Sequence, residues 1–166
     1  PVGETAARPG AGPRHARFSA DGRFLHVINE LDNTMAVFAA HAASGVLTPL
    51  QVISTLPDGF SGESICAEVC LSPDQRFLYG SNRGHDSIAV FARNTADGTL
   101  SLVEIVACGG KHPRHFSLSP DARWLVCANK DSDNVTVFAR DAATGRLSRV
   151  GRPVEVPQAV CVLFAP

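Results

Sequence analysis

The chain has no apolar run able to cross a bilayer: its longest, such as Ala159–Ala165, falls far short of the ~20 residues required. It also lacks a charge imbalance. Fifteen Lys and Arg stand against sixteen Asp and Glu, a formal charge of −1, which speaks against a broad nucleic-acid or polybasic membrane surface. No Cys-x-x-Cys pair occurs, and the cysteine count is odd, at 66, 70, 108, 127 and 161, so neither a disulfide framework nor a zinc ribbon is indicated. Cys66 and Cys70 lie four apart but have no His or second pair at ligand spacing, and the five read as small apolar residues of a cytoplasmic protein. No dinucleotide loop, P-loop or zinc motif is found, so no cofactor or metal is implied. There is no charged n-region followed by an apolar h-region, and no long amphipathic helical pattern. What remains is a chain of 166 residues, 45% apolar and 19% charged, fit for one domain and too hydrophobic to be disordered.

Self-similarity organises it. Ser19-Ala20-Asp21-Gly22-Arg23 matches Ser72-Pro73-Asp74-Gln75-Arg76 and Ser119-Pro120-Asp121-Ala122-Arg123. Phe24-Leu25, Phe77-Leu78 and Trp124-Leu125 follow, then Asn29, Asn82 and Asn129, then Val37-Phe38, Val90-Phe91 and Val137-Phe138. Gly45-x-Leu47, Gly98-x-Leu100 and Gly145-x-Leu147 close each copy, and the longer first spacing is absorbed by 57–62. Within a copy, short β-branched and aromatic runs (16–19, 23–29, 34–39, 48–55) alternate with Asp-Gly, Asp-Asn and Ser-Gly turn signals. Four short strands per repeat of about 40–50 residues predict an all-β fold of β-propeller blades, each of four antiparallel strands. Residues 1–11 read as an inter-blade loop or the remnant of a preceding blade, 12–157 as three repeats (12–61, 62–110, 111–157), and 158–166 as the first strand of a closing blade. About three and a half blades do not close a ring of roughly 4–8. The expectation is therefore part of a longer propeller, whose exposed edges await missing N-terminal blades or a second copy.

Blade strands run a to d from the axis outward, so the start of a and the end of b share one face. The first position gives Arg14-His15, Ala67-Glu68 and Arg114-His115, with His15, Glu68 and His115 equivalent; the second gives Asn29-Glu30, Asn82-Arg83 and Asn129-Lys130. Arg14, Arg83, Arg114 and Lys130 beside Glu30, Glu68 and two His suit a small anionic ligand, and a carboxylate or imidazole among them can serve as a base. Plainer readings apply elsewhere. Asp21, Asp74 and Asp121 cap the a–b turns, and Asn29, Asn82 and Asn129 form turns. Glu30 and Arg83 also fit a simple inter-blade ion pair. His26, His41, His85 and His112 default to surface or loop positions, while Phe38, Phe91, Trp124 and Phe138 belong to the blade core.

Gly-Pro-Arg-His (12–15), Val-Ile-Asn-Glu-Leu (27–31), Ser-Asn-Arg-Gly-His-Asp-Ser (81–87) and Pro-Arg-His-Phe (113–116) together resemble the seven-bladed β-propeller lactonases. That family includes propeller-type 6-phosphogluconolactonases and fungal carboxymuconate cyclases. The resemblance covers essentially the whole chain and implies the C-terminal half of a seven-bladed ring. It points to Arg14, His15, Glu30, Glu68, Arg83 and Arg114 as pocket residues, and a further His-bearing motif of earlier blades has no counterpart here. It implies hydrolysis of a sugar lactone, foremost 6-phosphogluconolactone. In that reading Glu30, His15 and Arg14 are catalytic, whereas Arg83, Arg114, His115, Glu68 and Lys130 hold the substrate. No Gly-x-Ser-x-Gly elbow is present, so water attacks directly. The rival readings are a muconate-type cycloisomerase using the same groups and a non-catalytic binding propeller. Trp124 is followed by Leu125, so the Trp-Asp pattern of scaffold propellers is absent.

Overall fold

The computed structural model describes residues 4–165, which form three four-stranded antiparallel sheets. The first holds β1 (Pro13–Phe18), β2 (Phe24–Asn29), β3 (Thr34–His41) and β4 (Val46–Ser54) in chain order. The second holds β5 (Ile65–Leu71), β6 (Phe77–Arg83), β7 (Ser87–Arg93) and β8 (Leu100–Ala107). The third holds β9 (Pro113–Leu118), β10 (Trp124–Asn129), β11 (Asn134–Arg140) and β12 (Leu147–Glu155). Among the described residues a single 3-10 turn, Lys130–Ser132, interrupts the strands. Neighbouring blades approach through their first two strands, as β1 and β2 meet β5, and β5 and β6 meet β9. That convergence puts β1, β5 and β9 on the inner side, and the mostly exposed β4 and β12 outside.

The second blade buries apolar side chains on both of its faces, so the apolar cores lie between blades. Ile28, Met35 and Val37 of the first blade enclose one cluster with Val69, Leu78, Ala89 and Phe91 of the second. Tyr79, Ile88 and Val90 enclose the other with Phe116, Leu125, Cys127 and Phe138. Burial of such side chains is worth about 1.5–3 kcal/mol each, so adjacent blades stabilise one another.

The repeated tripeptide acts at the a–b turn. Ser19, Ser72 and Ser119 each donate a hydroxyl to the Asp two residues on, at 2.6, 2.5 and 2.5 Å. Those carboxylates accept the amides of Arg23, Arg76 and Arg123, at 3.1, 3.2 and 3.1 Å. The Asn residues tie strands together differently from expectation. They sit in extended backbone at the ends of β2, β6 and β10, and their amides reach Thr34, Ser87 and Asn134 across the b–c turn, at 2.9, 3.1 and 2.9 Å. The left-handed turn positions fall four residues later, on Asn33, Asp86 and Asp133.

Strand a begins at Pro13 in the first blade and Pro113 in the third, as expected, because the first residue of a strand tolerates proline's missing N–H; in the second it begins at Ile65, one residue before the equivalent Cys66. Two other expectations change. Among the described residues, 158–165 form no strand, since a ladder needs a hydrogen-bonded neighbour and they join none of the three sheets. His26 is also not a surface residue: it lies in the middle of β2, fully buried, with Nε2 3.1 Å from the Gly98 carbonyl. Register places it opposite Val37, the position Tyr79 holds opposite Val90.

Candidate active site

Register confirms the alignment of the inner strands: Pro13, Cys66 and Pro113 face Asn29, Asn82 and Asn129. His15, Glu68 and His115 therefore stand two residues further along three adjacent inner strands, and their side chains meet. Glu68 is almost fully buried, and its Oε2 lies 2.9 Å from His15 Nδ1 and 3.4 Å from His115 Nε2. Its Oε1 accepts Arg17 Nη2 at 3.0 Å and the Val69 amide at 3.1 Å. The Val162 amide donates to His115 Nδ1 at 3.3 Å, so segment 158–165 touches this group. An imidazole nitrogen that accepts leaves the other to donate; His115 thus carries its hydrogen on Nε2, toward Glu68. Burial lowers the His115 pKa, opposed by the Glu68 charge and aided by His15 and Arg17.

Arg14 links this group to a second one. Its Nη1 donates to the Ala67 carbonyl at 2.8 Å, and its Nε lies 3.6 Å from Glu30 Oε2. The same Nη1 is 3.4 Å from His15 Nδ1 and 3.2 Å from Nε2. The Arg14 guanidinium thus lies against the His15 imidazole, within reach of both ring nitrogens. Arg83 completes the second group, its Nη2 2.5 Å from Glu30 Oε1 and 2.6 Å from the Cys66 carbonyl. Burial, then the nearby Arg83 charge, pull the Arg14 pKa down from its usual value, against the pull of Glu30.

The expected Glu30–Arg83 ion pair is thus present, and it lies beside the inner strands rather than at the outer rim. Arg83 also walls a cavity of about 470 Å³ with Gly62–Ile65, Gly84 and His112. His112 belongs to this wall rather than to an uninvolved loop. Its Nδ1 is 3.1 Å from Asp131 Oδ2, and its pKa is lowered by burial and by the charges of Arg83 and Lys130, against Asp131 and Asp86.

The structure brings Arg14, His15, Glu30, Glu68, Arg83 and His115 into two touching clusters. Arg114 lies near enough for its charge to act on Arg14 and makes no side-chain hydrogen bond or ion pair among the described residues. Lys130 joins neither cluster: it opens the 3-10 turn and pairs with Asp131 at 3.2 Å. Sequence reasoning missed Arg17. Period-two alternation along β1 carried the signal, since residues 15 and 17 share a face.

The family model described as "Lactonase, 7-bladed beta-propeller" matches residues 1–164. The chain belongs to this family. Among curated relatives, a 6-phosphogluconolactonase of Bacillus subtilis is 40% identical over 114 residues, covering 69% of this chain and 33% of the relative. A periplasmic gluconolactonase of Pseudomonas aeruginosa superposes with a TM-score of 0.89 at 41% identity, over 93% of this chain and 43% of that one. A Lactobacillus plantarum protein superposes at 0.92 with 37% identity, over 95% and 46%. This lactonase-family chain therefore spans less than half the length of these relatives. Among the described residues no helix is long and apolar enough to cross a membrane.

Proposed function

We propose that the propeller containing this chain hydrolyses a sugar lactone, with 6-phosphogluconolactone as the leading substrate. The observation that carries the reading is the double clamp of Arg14 and Arg83 on Glu30 beside a histidine whose Nδ1 is held by a buried glutamate. Glu68 has no proton to give as a carboxylate, so His15 donates from Nδ1 and keeps Nε2 as an acceptor. Both Glu30 oxygens face guanidinium groups, which suits Glu30 to hold the arginines and His15 to act as base.

In this scheme His15 Nε2 takes a proton from water while the water oxygen bonds to the lactone carbonyl carbon. The guanidinium of Arg14 stabilises the oxyanion that develops. Collapse breaks the ring C–O bond, and the proton returns from His15 to the departing alkoxide, giving the open hydroxy acid. Arg83 and Arg114 offer charge-assisted hydrogen bonds to a substrate phosphate or carboxylate.

The test is acid release from freshly generated 6-phosphogluconolactone above the spontaneous rate, using the longest reading frame that contains this chain and the chain itself. Acceleration by the longer protein is expected, with kcat reduced about 100-fold or more in His15→Gln. No acceleration by either protein overturns the lactonase reading, and turnover of a carboxymuconate instead replaces it with cycloisomerisation.

A further inference from the structure

The cavity of about 470 Å³ beside the Glu30 clamp falls within the roughly 300–1,000 Å³ usual for small-molecule pockets, and its wall holds polar groups without partners. Arg83 is more than nine-tenths buried, with Nη2 committed to Glu30 and the Cys66 carbonyl. Its Nε is buried and, among the described residues, has no acceptor. Ser64 Oγ, in the same wall, is likewise buried without a partner among those residues. His112 is the third group. Burial keeps its ring neutral at neutral pH, so the hydrogen directed at Asp131 sits on Nδ1 and Nε2 is left to accept. Leaving buried polar atoms unpaired is unfavourable, and a ligand with matching groups removes the penalty.

The wall is pre-organised. Asp86 Oδ1 accepts the amides of Gly84, at 3.2 Å, and His112, at 2.8 Å, which ties the b–c turn of the second blade to the entry of the third. His112 is held in the left-handed region, at φ +60, where a histidine is uncommon. Gly84 has φ +98, and a Cβ there would collide with the Glu63 carbonyl oxygen, so the backbone of 63–64 packs directly against the turn. Residues 57–62, which lengthen the first repeat, end at Gly62 in this wall, and Phe60 packs edge-on against His85 with ring centroids 4.7 Å apart.

The charges decide what fits. Arg83 already faces Glu30, His112 is neutral and backed by Asp131, and Glu63 also lines the cavity. A further anion gains little there. Hydroxyl groups suit it, since each can accept from Arg83 Nε or Ser64 Oγ and donate to His112 Nε2. We propose that this cavity is a hydroxyl-recognition subsite that takes the polyol portion of the substrate, with Arg83 Nε and Ser64 Oγ as donors and His112 Nε2 as acceptor. A substrate phosphate is then left chiefly to Arg114, which is not part of the cavity wall. A carboxymuconate offers no hydroxyl to these groups. The subsite's part in turnover rests on the sugar-lactone reading; its binding of a polyol does not.

Titration calorimetry of the longer protein that contains this chain compares D-gluconate with hexanoate, an acid of the same charge and chain length without hydroxyls. Gluconate should bind at least about 10-fold more tightly. Ser64→Ala and His112→Asn should each weaken gluconate about fivefold or more and leave hexanoate unchanged, with an unaltered β circular-dichroism spectrum. Asparagine tolerates left-handed backbone, so His112→Asn removes the imidazole and keeps the turn. Equal affinities for the two acids overturn the hydroxyl subsite. A gluconate preference that both variants retain overturns its assignment to this cavity. Binding of inorganic phosphate that falls in Ser64→Ala puts an anion there and overturns the proposal as well. If the protein hydrolyses no lactone yet keeps a gluconate preference that both variants lower, the lactonase reading fails and the polyol subsite stands.

Discussion

His15 Nδ1 and Glu68 Oε2 lie 2.9 Å apart across the boundary between the first and second blades, joining side chains 53 residues apart in sequence. The same carboxylate also receives Arg17 and His115, so a single buried acid gathers groups from all three inner strands. Glu68→Gln keeps the shape and removes the charge that these donors share. We expect a loss of about 2 kcal/mol in urea unfolding, and in the longer protein a fall in kcat larger than any change in KM. An unaltered unfolding midpoint would show that the three donors find equal partners elsewhere.

Glycine substitutions should be sharply position-dependent. Gly98 has φ +79 and no room for a Cβ against Phe24, whereas Gly22 has φ +70 and nothing within 4 Å. Gly22→Ala meets only the left-handed backbone penalty, about 1–2 kcal/mol. Gly98→Ala adds overpacking of about 1–3 kcal/mol. Denaturant midpoints of the two variants side by side test the ordering.

Acid should weaken the fold through His26. Burial holds its pKa below the usual 6.5, helped by Arg93 and resisted by the hydrogen bond to Gly98. As pH falls through about 6.5 the unfolded chain takes up a proton that the folded chain still refuses. The contribution is therefore fully present above that value and is lost as pH drops through the lower folded pKa. His112 and His115 act in the same direction, so the comparison is with His26→Gln. The variant should show a smaller drop in unfolding midpoint between about pH 7 and pH 5.

The thiols should separate cleanly. Burial pushes Cys66 up to about 12 and Cys108 to about 11, and raises Cys70 and Cys127 as well. Cys161 alone among the five is exposed. One thiol per folded chain should react promptly with a disulfide reagent at neutral pH, and all five should react in denaturant. Cys161→Ser should abolish the fast phase.

The repeat alone determined that this protein is built of four-stranded blades and which positions are equivalent between them. Strand periodicity and turn chemistry are local, so Ser-x-Asp, the Phe and Trp starters and the closing glycines were legible one copy at a time. The equivalence of His15, Glu68 and His115 was legible too. What each of them touches was not, because contacts across blade boundaries depend on how the sheets fan about their inner strands. Packing decided that His26 is interior, taking Tyr79's place against a neighbouring glycine. It decided that Arg17 shares Glu68, that His112 joins Arg83 in a cavity wall, and that Lys130 turns aside to Asp131. The tertiary structure also fixed Glu30 between Arg14 and Arg83. Side-chain charge is written in the sequence, but its partner is chosen by geometry, and here that geometry lies between blades.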